Sequence, residues 1–333
     1  MNKEAKSYCN VECILYTQTT ENYLLENKPI VTVSVTVYNS SKYIIETLNS
    51  IKGQTYHNLI LQISDDCSTD DTVEICKKWI LENQSRFVKT KIIVPDINTG
   101  ISANCNRSWD ECETEWLKSI AGDDLLLPDC VETYMNYAKD KPESILIFGK
   151  ALTFSTINGA RVYRGYSHDY GDFSLSPEEL HHKLIWKGNS LPAASAFYNV
   201  HVLKQMGVRH DTRIRNIEDY PKWIKLSRMG IIFNFIDKDT VLYRREETSL
   251  SVGMFSPNYF NQELLICLYY FLDEIKSDED KDLIFKLIAD HCTKIYKWPY
   301  NRASTSKEYK IGKAFLAPLR LIKNKFRGLR IIK

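Results

Sequence analysis

Three apolar segments, each running out into a cluster of hydroxyl and carboxyl side chains and then into a helical pattern, constrain this chain more than any other feature. Ile30 to Val37 alternates valine with hydroxyl residues and ends in Tyr38-Asn39-Ser40-Ser41. Leu59 to Ile63 ends in Ser64-Asp65-Asp66-Cys67-Ser68-Thr69-Asp70-Asp71-Thr72, and Trp116 to Ala121 ends in Gly122-Asp123-Asp124 ahead of Pro128. Strands whose C-terminal ends collect polar groups, joined by helices, describe an open α/β sheet, and such sheets bind ligands at that edge. Strands are expected near 30–37, 58–64, 90–94, 115–121 and 144–149, with helices near 42–54, 71–84, 101–112 and 128–139. In the second of these helices Val73, Cys76 and Ile80 recur at three- and four-residue steps, the spacing of a sheet-packed face. This portion reads as a Rossmann-like nucleotide-binding half.

The remainder is less regular. Ile157-Asn158-Gly159-Ala160 carries the signal of a tight hairpin, followed by a polar, aromatic loop from Tyr163 to Phe173. A helix near 216–229, strands between 230 and 244, and two amphipathic helices within 257–298 complete the pattern. Residues 1–28 are polar without clear periodicity and are expected to form an extension or a short helix.

At 333 residues with 44% hydrophobic side chains, the chain has material for a substantial core. Its nine cysteines are odd in number and scattered, unlike the framework of a disulfide-stapled secreted protein, which points to a reducing compartment. Cys9 and Cys13 stand apart from other metal-ligating residues, and the adjacent His181 and His182 cannot converge on one ion from a helix. No long apolar run follows the N-terminus, so neither a secretory signal nor a membrane-spanning helix is expected. The net charge is +2, yet residues 311–333 alone hold seven Lys or Arg and no acid, leaving −5 for the other 310 residues. That localisation speaks against nucleic acid as a partner.

The ordered set Val-Ser-Val-Thr-Val-Tyr-Asn-Ser, Ser-Asp-Asp-Cys-Ser-Thr-Asp-Asp-Thr, Asn98-x-Gly100 and Gly-Asp-Asp resembles the successive motifs of family 2 glycosyltransferases over about residues 29–250. The resemblance implies a GT-A fold: a Rossmann-like nucleotide-binding mixed sheet flanked by helices, here with a helical C-terminal extension. It divides the chain into an N-terminal extension (1–28), a catalytic domain (29–250, with a nucleotide-binding half to 150 and an acceptor half from 151), a helical extension (251–310) and a basic tail (311–333). The implied reaction moves a sugar, with inversion, from a nucleoside diphosphate donor, UDP by preference, to a hydroxyl of a surface polysaccharide or lipid-linked glycan.

By the same resemblance Thr36 and Tyr38 line the base pocket, Asp66 contacts the base, Asn98 and Asn104 belong to the donor site, Asp123 lies near the ribose, and Asp124 ligates Mg²⁺ or Mn²⁺. Hard carboxylate oxygens suit either ion, and one or two suffice when a diphosphate and waters complete the shell. Asn216-Ile217-Glu218-Asp219 resembles the family's Glu-Asp motif, which makes Asp219 the general base and gives Glu218 a positioning role. Gly188 to Phe197 is similar to the segment placed beside sugar and acceptor. Tyr243-Arg244-Arg245-Glu246 resembles a closing loop in which Arg244 or Arg245 pairs with phosphate; Glu246 stands where histidine is usual. Where many members carry Arg, this chain has Asn104-Cys105.

Two other classes compete with this reading. A nucleotidyltransferase would carry a Gly-rich, basic loop where Tyr38-Asn39-Ser40-Ser41 stands, and a non-catalytic binding or assembly protein would not need Asp66, Asp123, Asp124 and Asp219 together. Finally, Ile311, Phe315, Leu319, Ile322, Phe326 and Leu329 fall on one stripe, with Lys313, Arg320, Lys323 and Arg327 largely opposite. This is the pattern of a helix lying on an anionic membrane surface, and it predicts a cytoplasmic enzyme peripheral to the inner face of the cell membrane.

Overall fold

A computed structural model describes residues 11–17, 28–166, 168, 170–245 and 257–302. The basic tail 311–333 and Glu246 lie outside the described residues. The chain divides into two compact units after Ser249.

The first unit is built on a ten-stranded mixed sheet. Its parallel heart comprises β2 (Val31–Val37), β3 (Leu59–Asp65), β4 (Lys89–Pro95) and β5 (Trp116–Ala121), in the order β4-β3-β2-β5. β2 and β3 are buried along nearly their whole length, because helices cover both faces; the sequence answers with an almost unbroken β-branched and apolar run. Beyond β5 the sheet continues through β9 (Phe197–Asn199), antiparallel to both its neighbours, to β7 (Leu146–Ile157), the parallel β10 (Phe233–Arg244) and the short β6 (Leu125–Leu126).

Two features depart from the sequence reading. Residues 11–17 form a strand, β1 (Val11–Thr17), paired antiparallel with β4 from Val11↔Pro95 to Thr17↔Lys89, where an extension or short helix was expected. The segment reads Val-Glu-Cys-Ile-Leu-Tyr-Thr, rich in strand-forming residues within an otherwise polar stretch, so the strand signal was local and was averaged away over residues 1–28. The expected loop from Tyr163 instead begins inside β8 (Ala160–Tyr166), the second arm of a hairpin with β7. The hairpin turn itself sits at Asn158 (φ 50°) and Gly159 (φ 78°), the positive-φ pair that its Asn-Gly sequence favours.

The helices follow the apolar periodicity. α1 (Ile44–Lys52) buries Ile44, Thr47, Leu48 and Ile51, and α2 (Thr72–Asn83) buries Thr72, Cys76, Trp79 and Ile80. α3 (Ile101–Asp110) differs, since its buried side chains are largely polar: Ser102, Asn104, Asn106, Arg107 and Ser108. Each finds a tertiary partner, as buried polar groups must; Ser108 Oγ, for example, lies 2.6 Å from Ser34 Oγ, beside the amide of Gln62. α4 (Cys130–Asp140) follows β6. α5 (Pro177–Lys187) starts from a capping box in which Ser176 and Glu179 exchange side-chain and backbone bonds. After α6 (Val200–Gln205), α7 (Tyr220–Arg228) packs its Trp223 edge-on to Phe148 and Phe233. Nearer the parallel strands, Phe197 stacks between Trp116 and Tyr134, with 4.9 Å between centroids on each side.

The second unit holds α8 (Pro257–Ile266), which runs on through one π-turn, and α9 (Asp278–Arg302), started by reciprocal bonds between Ser277 and Asp280. Among the described residues, no helix is long and apolar enough to cross a membrane.

Candidate active site

The polar clusters at the ends of β2 and β3 bind first of all to each other. Asn39, held at φ 51°, accepts from the Thr69 amide at 2.8 Å and donates its own N–H to Ser68 Oγ at 2.8 Å. Ser40 N donates to Thr72 Oγ1, and Ser41 N to Asp70. Asp65 closes its own turn by accepting from the amide and hydroxyl of Ser68. These crossed bonds leave Tyr38 at the mouth with about half its surface (48%) exposed, while Thr36 is half-buried beneath it.

Asp66 is more deeply committed than the sequence suggests. Its carboxylate accepts from Thr99 N (3.0 Å), Thr99 Oγ1 (2.7 Å), Gly100 N (2.7 Å) and Arg107 Nη2 (2.6 Å). A carboxylate has about four acceptor positions, so the expected contact with a base must compete with four protein donors. Asn98 sits alongside, donating to the Asp66 carbonyl at 3.1 Å. Asn104 is buried, and its amide is spent on Ser64 and on the carbonyls of Ser64 and Val37. In this arrangement Asn104, expected at the donor site, bolts α3 to the ends of β2 and β3.

The acidic turn after β5 is gripped from two sides. At Gly122 a Cβ would come within 2.6 Å of Val37 Cγ1, so only glycine lets the turn fold back against β2. Asp124 Oδ1 accepts from the Arg244 amide at 2.8 Å, and its carbonyl accepts from Thr47 Oγ1 at 2.8 Å. The Arg244 guanidinium donates to the Asp123 carbonyl (2.8 Å) and to Thr156 (2.6 Å), meets Glu46 at 3.1 Å, and lies between the rings of Tyr43 and Phe154. With its side chain fully buried, Arg244, expected with Arg245 to pair with phosphate, spends its guanidinium on the protein and shapes the acidic turn. Arg245, half-buried at the end of β10, is the remaining arginine of the pair.

Burial raises the pKa of Asp123, and it raises that of Asp124 well above the ordinary value, with repulsion from Asp123 adding to the effect. Two adjacent carboxylates that resist ionisation are a setting that a divalent cation relieves, and their hard oxygens fit Mg²⁺ or Mn²⁺. Among the described residues no group of three or more His, Cys, Asp or Glu side chains forms a self-sufficient metal cage. A site of this kind depends on ligand oxygens to complete the shell.

The second acidic centre opens α7. Asp219 is its N-cap, accepting from Tyr220 N at 2.7 Å, and its other oxygen accepts from Asn189 Nδ2 at 2.8 Å. The segment from Gly188 to Phe197 thus meets the acid motif directly. Its far end is held by the buried Lys118 of β5, whose ammonium donates to the carbonyls of Ser119, Ala194 and Ala196; burial pushes its pKa down to about 8. Burial, reinforced by the charge of Asp219, pushes Glu218 up to about 7. One turn further on, the buried Lys222 donates to Tyr198 OH (2.9 Å), lies 3.0 Å from His210 Nε2, and faces the Trp223 ring at 4.4 Å. Burial lowers the pKa of His210 well below the usual range, which leaves it neutral and able to accept from Lys222.

α3 ties the loop of the second acidic centre to Asp66. Asn106 exchanges two 2.9 Å bonds with the backbone of His210, Ser102 Oγ donates to the Ile214 carbonyl, and Ser102 N to the Arg215 carbonyl. The loop that carries Glu218 and Asp219 is therefore bolted to the helix whose Arg107 pairs with Asp66. Arg107, Asn106, Lys222 and Asn189 were not singled out from the sequence as site residues; the density of polar side chains in an otherwise well-formed helix was the available signal for the first two.

The profile of "Glycosyl transferase family 2" matches residues 32–204, slightly more than half of the chain. The chain is 22% identical over 223 residues to the glycosyltransferase GlyG of Streptococcus pneumoniae serotype 4, covering 66% of this chain and 72% of that protein. It is 29% identical over 237 residues to chondroitin synthase of Escherichia coli, covering 69% of this chain but 31% of that longer enzyme. Among solved structures, residues 1–349 of S. aureus TarS in complex with UDP-GlcNAc share the fold with a TM-score of 0.58 at 19% identity, over 84% of this chain and 78% of that one. A mannosyltransferase from Pyrobaculum calidifontis in complex with GDP-Man and Mn²⁺ does so at 0.53 and 15% identity, over 92% and 81% respectively. The expected family and fold are both met: this chain belongs to glycosyl transferase family 2, and it is a glycosyltransferase built on a GT-A-like mixed sheet.

Proposed function

We propose that the enzyme transfers one sugar, with inversion, from a nucleoside diphosphate donor to an acceptor hydroxyl of a surface polysaccharide or lipid-linked glycan, with UDP as the carrier. The observation that carries this reading is one helix, α3, tying the Glu218-Asp219 loop to Asp66 at the sheet edge that also carries the Asp123-Asp124 turn. The Asp123-Asp124 turn and Asp66 stand at the C-terminal edge of the parallel strands, and the loop bearing Glu218 and Asp219 is bolted to α3 beside Asp66. Single-step displacement needs leaving-group support and a base on opposite sides of the reacting carbon, and two separate acidic centres supply those roles.

In this reading Asp219 takes the acceptor proton on the oxygen shared with Asn189, which holds the carboxylate in place. Glu218 lies next to it and Lys222 moderates the repulsion between the two acids. Tyr38 and Thr36 receive the nucleoside, and Arg245 is the cation available to the diphosphate. Asp124, with Asp123 beside it, would hold Mg²⁺ or Mn²⁺, which when bound offsets charge on the departing diphosphate. The UDP-GlcNAc complex of TarS and the Mn²⁺ complex of the mannosyltransferase support a nucleotide sugar and a divalent ion. The chondroitin and hyaluronan synthases among the relatives support a polysaccharide acceptor.

Residues 311–333 are proposed to rest on the cytoplasmic leaflet, where a lipid-linked acceptor would be presented, on the strength of their apolar stripe and seven cations. The test of the whole reading is a panel of nucleotide sugars assayed for binding and hydrolysis with Mg²⁺, with Mn²⁺ and with chelator. Saturable, cation-dependent binding of one sugar nucleotide is expected, and no binding of any would overturn it.

A further inference from the structure

Gly100 adopts φ +91°, and a Cβ there would sit 2.3 Å from Arg215 Cγ. The missing side chain is filled by another residue: Arg215 lies across the glycine, and its Nη2 donates to the carbonyl (3.1 Å) and the side-chain oxygen of Asn98. The position is pinned at both ends. The Arg215 carbonyl accepts from Ser102 N, the preceding Ile214 carbonyl accepts from Ser102 Oγ, and Asn98 itself donates to the Asp66 carbonyl. Arg215 nevertheless remains exposed. Among the described residues its guanidinium hydrogen-bonds to Asn98 alone, through Nη2, which leaves Nε and Nη1 for a ligand.

Strand order says which part of a ligand that would be. The ends of the parallel strands run β4 (followed by Asn98 and Gly100, over which Arg215 lies), β3 (Asp66), β2 (Tyr38), β5 (Asp123, Asp124). Asn98 and Gly100, which Arg215 covers, bond to Asp66 at the end of β3, two strands from β5 in the sheet order; neighbouring strands are about 4.8 Å apart. If the acidic turn takes the diphosphate, the nucleoside extends across Tyr38 toward Asp66, and its base falls at the β3–β4 end. Asp66 has committed its oxygens to protein donors, so an acceptor-rich base edge is best met by a donor, and a guanidinium is a planar fork that reads paired acceptors.

We infer that Arg215 is a donor-binding residue that recognises the acceptor edge of the nucleobase and sets nucleotide preference. This rests on the nucleoside diphosphate reading above. The experiment measures dissociation constants of UDP, GDP, CDP and inorganic pyrophosphate for the full chain and for Arg215→Met and Arg215→Lys, with thermal unfolding of each. The expected result is a loss of tenfold or more for the nucleotide that the unaltered enzyme prefers, with preference among the three collapsing. Pyrophosphate binding and melting temperature should hold, and Lys should fail to restore preference because it lacks the fork. Equal weakening of all three nucleotides and of pyrophosphate would make Arg215 a phosphate contact and overturn the inference, as would unchanged nucleotide affinities. If the unaltered enzyme binds none of the three nucleotides, the proposed function falls and this inference with it. If it binds one of them and the variants bind it equally well, only the inference fails.

Discussion

Replacing Asp66 by Asn separates an anchoring role from a ligand-contact role. In the native site one carboxylate, 3% exposed, satisfies two backbone amides, the Thr99 hydroxyl and the Arg107 guanidinium, itself 10% exposed. An asparagine keeps one acceptor oxygen and turns an NH₂ toward either Gly100 N or the Arg107–Thr99 side, so donor faces donor whichever way it flips. Hydrogen bonds to a charged group contribute about 1.5–3 kcal/mol each, and removing one partner of a buried ion pair costs about 3–5 kcal/mol. Allowing for relaxation of the Asn98–Gly100 loop, the expected cost is about 3 kcal/mol. For a unit of this size that is a fall in melting temperature of about 6–12 °C. Differential scanning calorimetry without nucleotide, with denaturant titration alongside, reads the effect, and Arg107→Met with the double variant closes a cycle that should show strong coupling. A variant that melts with the native enzyme yet binds its nucleotide tenfold more weakly would refute the reasoning and make ligand contact the principal duty of Asp66.

The remaining expectations concern the two acidic centres and the tail. Asp124→Asn should abolish cation-dependent transfer while leaving the unliganded protein as stable or more so, because a buried carboxylate with a raised pKa is a cost that an amide avoids; full activity in the variant or in excess chelator would contradict this. Asp219→Asn should lower turnover by about 10²- to 10⁴-fold with nucleotide affinity intact, and the reverse pattern would make Asp219 a binding residue. Glu218 is held up to about 7 from an ordinary 4.5, so its contribution to stability is present below about pH 4.5 and is lost as pH rises through about 7. Glu218→Gln should therefore flatten the fall in melting temperature between pH 5 and 8, and an unchanged profile would show that the group does not titrate there. Removing residues 311–333 should abolish salt-sensitive binding to anionic liposomes but spare transfer to a soluble acceptor analogue, and unchanged liposome binding would refute the membrane reading.

What was legible in the sequence follows from what burial demands. β2, β3 and β5 are covered on both faces, so their letters carry the strand signal, and the polar clusters at their ends mark the binding edge directly. β1 was legible but missed, because its short run of strand-forming residues, Val11-Glu-Cys-Ile-Leu-Tyr-Thr17, sits inside a stretch that is polar on average. α5 was missed although Ser176 and Glu179 spell its capping box, since no apolar stripe as clear as that of α2 accompanied it. Side-chain partnerships were the least legible, because they depend on which elements meet. Nothing in the motif around Asn104 says that its amide faces the ends of β2 and β3, or that Arg244 turns inward beneath the acidic turn.

The cation absent at Asn104-Cys105 makes the same point from the other side. Three residues on from Asn104, Arg107 lies on the same face of α3 one turn later, and its guanidinium reaches Asn104 Oδ1 at 3.2 Å as well as Asp66 at 2.6 Å. A positional motif treats the arginine as lost, whereas the helix returns a cation to that face within one turn. Motifs written on helices are better read modulo three or four residues than letter by letter, and a departure such as Asn104-Cys105 weakens a functional reading only after the neighbouring turn has been searched.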